Sequence, residues 1–261
     1  MNIVGIDDTD TVDSRGTNQL ARALVRRVAD RFRCLRIVRH QLLDDPRVPY
    51  TSKNGSAAIV LIPRDDTDRT VSTRENGSTV SPERVEALMD DLRTGMREDF
   101  IEGSDPGLCV ATHIPSSVVD FGVRCQRELV TQQEARDLAA AHGVPLEGLG
   151  GTEDGVVGAL AAVGLSAGCD DGRIVQIEGW PDDLSGPQPI DVLRGRGVEI
   201  CCLTTARPVT DGIVDVGKHL RPNFRKGRIV LYVVPAIAST SEAATEEQIR
   251  EAADWRAVRC A

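Results

Sequence analysis

The chain has 261 residues, a formal net charge of −9 and 41% hydrophobic residues, enough for one large domain or two small ones. No apolar run approaches the ~20 residues that a membrane span requires, and acidic residues directly after the first apolar run argue against a secretory signal. We therefore expect a cytoplasmic protein with no membrane partner. The negative charge repels a polyanion at long range, so nucleic acid is not the default partner. Seven cysteines without a CxxC motif argue against structural zinc and a disulfide scaffold.

The first part of the chain predicts a strand, a loop and a helix, followed by two further strands. Residues 2–6 form a short apolar run that ends at a carboxylate pair, and residues 17–32 show helical periodicity. Residues 35–43 and 56–63 are typical of strands. The polar, turn-rich segment 44–55 between them is a candidate functional loop.

The middle of the chain predicts a polar excursion and then several regular elements. Residues 64–80 contain hardly an apolar residue, so we expect a mobile segment. Ser81 and Pro82 are typical of a helix start, and the apolar spacing predicts a helix to about Phe100. A strand over 108–112 and a helix over 131–142 capped by Thr131 follow.

The last part begins with a glycine-rich approach to a small, apolar segment over 155–164, which suits a tightly packed helix. Further on, the sequence predicts a helix over 189–196 and strands over 173–177, 198–203 and 227–234. Proline and glycine between Trp180 and Pro189 indicate a domain boundary. After Ser239 we expect a polar, peripheral helix that carries Glu246, Glu247 and Trp255.

Three carboxylates, Asp7, Asp8 and Asp10, lie within four positions where the first strand opens into a loop. This concentration of charge costs stability unless a cation or hydrogen-bond donors neutralise it. Mg²⁺ would do so, because it binds one or two carboxylates and leaves the remaining positions to water and substrate phosphates. On spacing alone, a solvated turn in which Asp8 and Asp10 cap the next helix is equally well supported.

Two glycine-containing segments and one lysine are weaker candidates for phosphate binding. Backbone N–H groups at Asn54–Gly55 and near Gly155 and Gly158 could approach a phosphate, but neither segment is a P-loop. A hairpin turn at Asn54–Gly55 and close helix packing at 155–164 are the favoured alternatives. Lys53 could meet a phosphate as a point charge, although a solvated loop lysine is the commoner outcome.

Two features of the second half have open interpretations. The basic residues Arg221, Arg225, Lys226 and Arg228 precede the last predicted strand and could bind an anion, although a solvated hairpin is the simpler interpretation. Cys201–Cys202 lies in an apolar strand and is more typical of a core than of a nucleophile.

Five segments together resemble one family in order and rough spacing. They are GIDDTD from residue 5, RG-T over 15–17, VPYTSKNG over 48–55, SDPG over 104–107 and GVVGALAAVG over 155–164. The family is the archaeal tRNA agmatinylcytidine synthetase, which modifies an isoleucine tRNA. The resemblance covers roughly the first two-thirds of the chain.

The resemblance implies a kinase-like domain that binds ATP and Mg²⁺, phosphorylates a cytidine carbonyl oxygen and lets agmatine displace the phosphate. It implies that Asp7, Asp8 and Asp10 hold Mg²⁺ and the phosphates, and that Thr17 matches a threonine that the family enzyme phosphorylates on itself. Such a site works by positioning and charge neutralisation. The residues that the resemblance assigns to ATP binding are Thr9, Arg15, Gly16, Lys53, Asn54, Gly55, Gly155 and Gly158.

The departures from the family shape the remaining expectations. Glu153–Asp154 replaces the family's arginine-rich loop, and neither an OB-fold nor a zinc ribbon is expected. We therefore expect an α/β (α+β) protein with a kinase-like ATP domain over 1–170 and a smaller ferredoxin-like α+β domain over 171–261. The expected function is Mg-ATP-dependent activation of an oxygen on a small molecule for condensation with an amine, with tRNA possible but disfavoured. The alternatives are a tRNA cytidine-modifying ligase and a non-catalytic ATP-binding subunit.

Overall fold

A computed structural model describes residues 1–9, 16–48, 54–64, 82–236 and 253–258. Two compact units divide the chain, Met1–Gly168 (unit 1) and Cys169–Ala261 (unit 2). No helix in these ranges is long and apolar enough to cross a membrane.

Unit 1 is built on an antiparallel sheet with helices packed against it. Its strands lie in the order β5-β4-β1-β3-β2, which places the first strand of the chain at the centre. The elements are β1 (Asn2–Asp7), α1 (Thr17–Arg27), β2 (Phe32–Gln41), β3 (Gly55–Pro63), α2 (Pro82–Glu98), β4 (Gly107–Ala111), α3 (Ser116–Cys125), α4 (Gln132–Ala141), β5 (Leu146–Gly148) and α5 (Gly155–Gly168).

The central strand β1 is covered on both faces. Its first five residues are all buried, a pattern typical of a strand with helices on either side rather than of one with a solvated face. Ile3 belongs to a core cluster that also contains Val118 of α3, Ala135 of α4 and Leu160 of α5. The end of β1 is therefore held rigidly, which matters because the acidic residues follow it.

Helix α5 approaches the sheet closely because its residues are small. A Cβ on Gly5 of β1 would overlap the carbonyl oxygen of Ala159, and one on Gly107 of β4 would overlap the backbone of Gly155. On another side of the helix, a Cβ on Gly164 would overlap the carbonyl oxygen of Val118 in α3. The segment 155–164 thus forms the tightly packed helix that its composition predicts.

Several element boundaries differ from the predicted ones. Helix α1 ends at Arg27, and Phe32 is the first residue of β2 rather than the last of a helix. Helix α4 begins at Gln132 with Thr131 as its predicted cap. The Thr131 hydroxyl accepts from the Glu134 amide, and the Glu134 carboxylate accepts from the Thr131 amide. Helix α3 was not predicted, although its buried residues, Val118, Phe121, Gly122 and Cys125, have helical spacing.

Unit 2 is a smaller sheet with one short helix among its described residues. The strands follow the order β6-β10-β11-β12-β9-β7, and β8 pairs in parallel with β11. The elements are β6 (Arg173–Ile177), β7 (Pro187–Pro189), α6 (Ile190–Gly195), β8 (Val198–Cys202), β9 (Ile213–Asp215), β10 (Asn223–Arg225), β11 (Arg228–Pro235) and β12 (Trp255–Ala257). The α+β class is as expected, while the ferredoxin-like and kinase-like arrangements stay predictions.

One prediction for unit 2 is wrong. Trp255 lies in β12, where it pairs with Pro235 and Val214, and not in a helix. It packs against the apolar cluster of the unit, so tertiary burial overrides the helical appearance of the polar segment before it. The described residues do not include Glu246, Glu247, Ser81 or residues 65–80 of the excursion predicted over 64–80.

Candidate functional site

The acidic pair at the end of β1 lines a cavity of about 310 Å³ in unit 1. Asp7 is the last residue of the strand and pairs with Gly107 of β4. Asp8 follows with φ of 48°, in the left-handed region that costs a non-glycine residue about 1 kcal/mol. A backbone held in this region at a cavity wall is typical of a functional position.

The first turn of α5 forms the wall facing these carboxylates. A Cβ on Gly158 would overlap the Oδ2 atom of Asp7, so only glycine leaves room for the carboxylate beside the helix. Gly155 is confined in the same way by the carbonyl oxygens of Asp105 and Asp7. Both predicted glycines line the cavity, and their closest contacts assign them to packing around Asp7.

Asp105, in the SDPG segment, fixes the loop that leads into α5. Its side chain accepts a hydrogen bond from the Thr152 amide, and its carbonyl oxygen accepts one from the Gly155 amide at 3.0 Å. Asp154 lines the cavity and accepts from Thr152 Oγ1 at 2.9 Å and from Gln132 Nε2 at 2.5 Å. The SDPG segment therefore positions the helix start, a role that the sequence analysis did not assign to Asp105.

The connection between β2 and β3 supplies a third wall. Asn54 donates from Nδ2 to the Leu43 carbonyl oxygen at 2.8 Å, and its own carbonyl oxygen accepts from Gln41 Nε2 at 2.6 Å. Gly55 is the first residue of β3 and pairs with Gln41, so the hairpin turn favoured for Asn54–Gly55 is wrong. Lys53 lies outside the described residues.

Arg47 in the same connection is a cavity residue that the sequence analysis missed. Its guanidinium binds Asp45 through Nε at 2.8 Å and Nη2 at 2.7 Å. These side-chain hydrogen bonds, together with one from the Arg47 amide, lower the pKa of Asp45 to about 2. Arg47 is mostly exposed, and its guanidinium at the cavity is paired with the Asp45 carboxylate.

Apolar side chains complete the cavity. They are Leu42, Leu43, Val48, Cys125, Leu129, Val130 and Val157. Burial raises the pKa of the Cys125 thiol to about 12, with the charge of Asp7 adding to the shift, so this cysteine is a neutral wall residue. One cavity thus combines carboxylates and a cation with an apolar wall of a size suited to a nucleotide base.

Thr9 and Thr17 lie beside the cavity residues in sequence but are not among its lining residues. Thr9 donates from Oγ1 to Thr17 Oγ1 at 3.2 Å, and both side chains are buried. Gly16 occupies the cap position of α1 with no side-chain hydrogen bond. The Thr9–Thr17 hydrogen bond links the residue after Asp8 to the start of α1. Asp10 and Arg15 lie outside the described residues.

The carboxylates of the cavity are suited to a divalent cation that keeps part of its water shell. Within the described part of the chain, no group of three or more His, Cys, Asp or Glu side chains forms a closed metal site. Two adjacent carboxylates in an open cavity fit Mg²⁺, which completes its octahedron with water and phosphate oxygens rather than with protein ligands. Asp7 and Asp8 are the residues that would hold it.

The fold and the cavity define a mixed α+β protein with an acidic cavity of about 310 Å³ at the end of its first strand. No family model and no curated protein matches the chain.

Solved structures do match the chain in part. One, a tRNA fluorescent labeling enzyme, is 23% identical with a TM-score of 0.49, covering 63% of this chain and 36% of that one. Another, the tRNA agmatidine synthetase TiaS without ligands, is 21% identical with a TM-score of 0.47, covering 63% and 35%. TiaS bound to an isoleucine tRNA and ATP is 18% identical with a TM-score of 0.49, covering 86% and 52%.

The chain is thus similar, over part of its length, to the family that the motifs had indicated. It spans about one-third to one-half of the matched structures. The expectation that tRNA is disfavoured as a partner is wrong, because the matched structures include TiaS in complex with tRNA and ATP.

Proposed function

We propose that this chain is an ATP-dependent ligase that modifies a cytidine of a tRNA, with Mg-ATP bound in the unit 1 cavity. The assignment of the ATP site depends mainly on one observation. The carboxylate pair Asp7 and Asp8, with Asp8 at φ of 48°, meets the glycine-built start of α5 in a cavity that also has a cation and an apolar wall.

Each wall of the cavity has a distinct task in this proposal. Asp7 and Asp8 hold Mg²⁺, and the ion, when bound, neutralises charge on the ATP phosphates. Arg47, which is paired with Asp45, places a guanidinium near the phosphates. The apolar side chains around Leu129 and Val130 take the base and exclude water from it.

The tRNA substrate in this proposal is supported by the order of the five motifs, which is the order found in the agmatinylcytidine synthetase family. In the proposed reaction the cytidine carbonyl oxygen attacks the γ-phosphorus of ATP and ADP leaves, or it attacks the α-phosphorus and pyrophosphate leaves. In either case an O–P bond forms and a phosphoanhydride bond breaks. The nitrogen of an amine then attacks the ring carbon that carries this oxygen. The C–O bond breaks, phosphate or AMP leaves with the oxygen, and the amine loses one proton.

Turnover of labelled ATP tests this function directly. Purified protein with Mg²⁺, an isoleucine tRNA and agmatine should convert ATP to ADP or AMP and attach the amine to the tRNA. Asp8→Asn should lower the rate at least about 100-fold, because a lost metal ligand removes charge stabilisation worth several kcal/mol.

Asp120→Asn is the matched control, because Asp120 is an exposed carboxylate of α3 outside the cavity. It should keep the wild-type rate. ATP binding without any turnover, with tRNA and amine present, would contradict the enzyme proposal and favour an ATP-binding subunit. Turnover that Asp8→Asn leaves unchanged would overturn the metal assignment.

A further inference from the structure

Unit 2 contains a second cavity, of about 540 Å³, that the proposed ATP chemistry does not use. We call it the basic pocket. Its charged lining residues are Arg194, Arg225, Lys226, Arg228, Asp170 and Glu199. Four positive and two negative side chains thus meet in a protein whose net charge is −9. A local excess of positive charge attracts anions even on a protein that is acidic overall.

The two acidic side chains have partners within the pocket. Glu199 pairs with Arg228 at 3.0 Å, and Asp170 accepts a hydrogen bond from the Lys226 amide at 3.0 Å. Arg225 lies 3.8 Å from Asp171. By contrast, the ammonium of Lys226 and the guanidinium of Arg194 have no ion-pair partner within the described part of the chain. These two cations are therefore available to an anionic ligand.

The backbone fixes the position of Lys226. Lys226 and Gly227 form the two-residue turn between β10 and β11, with φ of 50° and 71°, as tight hairpin turns require. The Gly227 amide donates to the Cys169 carbonyl oxygen at 2.7 Å, so both turn amides are held. Glycine, asparagine or aspartate is favoured at the first position, and a lysine there carries a steric cost. We infer that lysine is kept at this position, despite the steric cost, because its side chain binds a ligand.

An aromatic and apolar side of the pocket distinguishes it from a simple phosphate site. Tyr232 of β11 is half-buried and lines the cavity together with Val230, Pro208 and Val209. An aromatic ring and unpaired cations in one cavity are the combination with which proteins hold single-stranded nucleic acids, by stacking a base and neutralising a phosphate.

We propose that the basic pocket binds a nucleotide unit of single-stranded RNA, with its phosphate at Lys226 and Arg194 and its base against Tyr232. This site goes beyond the proposed ATP site. It lies within unit 2 and requires neither ATP nor a metal, so either proposal can fail without the other.

The test is the anisotropy of a short, fluorescein-labelled single-stranded RNA titrated with the full chain, without ATP, over a range of salt concentrations. Lys226→Asn removes the charge and keeps a residue that tolerates positive φ, so the fold is preserved. It should weaken binding about tenfold at low salt and reduce the slope of log K against log salt by about one. Lys218→Asn is the matched control, because Lys218 is exposed in the same unit and outside the basic pocket.

A second pair of variants tests the aromatic contact. Tyr232→Leu should weaken RNA binding about tenfold, whereas Tyr232→Phe should bind like the wild type, because stacking needs the ring and not the hydroxyl. Equal binding by Lys226→Asn and Lys218→Asn would overturn the proposal. Free cytidine monophosphate that binds as tightly as the RNA would assign the pocket to a free nucleotide instead. Asp8→Asn should leave RNA binding unchanged, which separates this proposal from that on ATP.

Discussion

The two cavities are proposed to receive phosphate groups through opposite charges. The unit 1 cavity presents Asp7 and Asp8, which repel a phosphate unless a metal ion lies between them. The basic pocket presents Lys226 and Arg194, which attract a phosphate directly. This difference predicts that phosphate binding depends on a metal ion at the first site and on ionic strength at the second.

Metal removal is the largest expected effect and separates the two sites. Chelation with EDTA should lower ATP turnover at least about 100-fold, because Asp7 and Asp8 then face the triphosphate without a cation between them. RNA binding to the basic pocket, measured in the same solution, should stay within about twofold after correction for ionic strength. A parallel loss of both activities would contradict the contrast between the sites.

Gly158→Ala should disturb the unit 1 cavity by steric overlap alone. The added methyl group overlaps Asp7 Oδ2, so we expect a loss of about 1–3 kcal/mol in the free energy of unfolding. ATP turnover should fall about tenfold or more as Asp7 is displaced. Thermal denaturation and kinetics measure the two effects. Gly195→Ala is the control, because a Cβ there meets nothing within 4 Å, and its stability should not fall.

Substitutions of Asp8 separate backbone strain from carboxylate chemistry. Asp8→Gly and Asp8→Ala both remove the carboxylate and should both abolish turnover. With φ of 48°, the glycine variant should be the more stable by about 1 kcal/mol in urea denaturation, because only alanine retains the steric cost. Equal stabilities would show that the positive φ carries no cost at this position.

The smallest effect concerns the pH dependence of the Asp45–Arg47 pair. The Arg47 hydrogen bonds lower the pKa of Asp45 to about 2, below its unfolded value near 4. The stabilisation of the folded state by the Asp45–Arg47 pair is therefore complete above about pH 4 and is lost as the pH falls through about 2. The melting-temperature difference between wild type and Asp45→Asn should be small, constant from pH 5 to 8, and shrink towards pH 2. A difference that grows on acidification would contradict this sign.

Local sequence signals predicted much of the fold, and long-range pairing limited the rest. The Thr131 cap and the small residues of α5 act within a few positions of the chain, so the helices they begin or fill were predicted. Trp255 could not be placed from its neighbours, because its strand depends on pairing with Pro235 and Val214. Helix α3 carried a usable signal in the spacing of Val118, Phe121 and Cys125 that was overlooked.

The residues of the candidate site likewise divide into those that local sequence predicted and those that it could not. Asp7, Asp8, Gly155 and Gly158 belong to short motifs and were predicted, and the structure brings them to one cavity. Arg47 and Leu129 reach that cavity from separate connections without a motif of their own. Asp105 was visible only as part of a turn, because its bond to Thr152 spans 47 positions of sequence.

The glycines around α5 have a consequence for the mutational tolerance of the chain. At Gly5, Gly107, Gly155 and Gly158, φ lies outside the left-handed region, so any residue could adopt the backbone and only missing volume forbids a side chain. A saturation mutagenesis map should therefore show four positions intolerant of every substitution, alanine included. Gly103 and Gly143, whose Cβ positions are open but whose φ is positive, should accept asparagine instead.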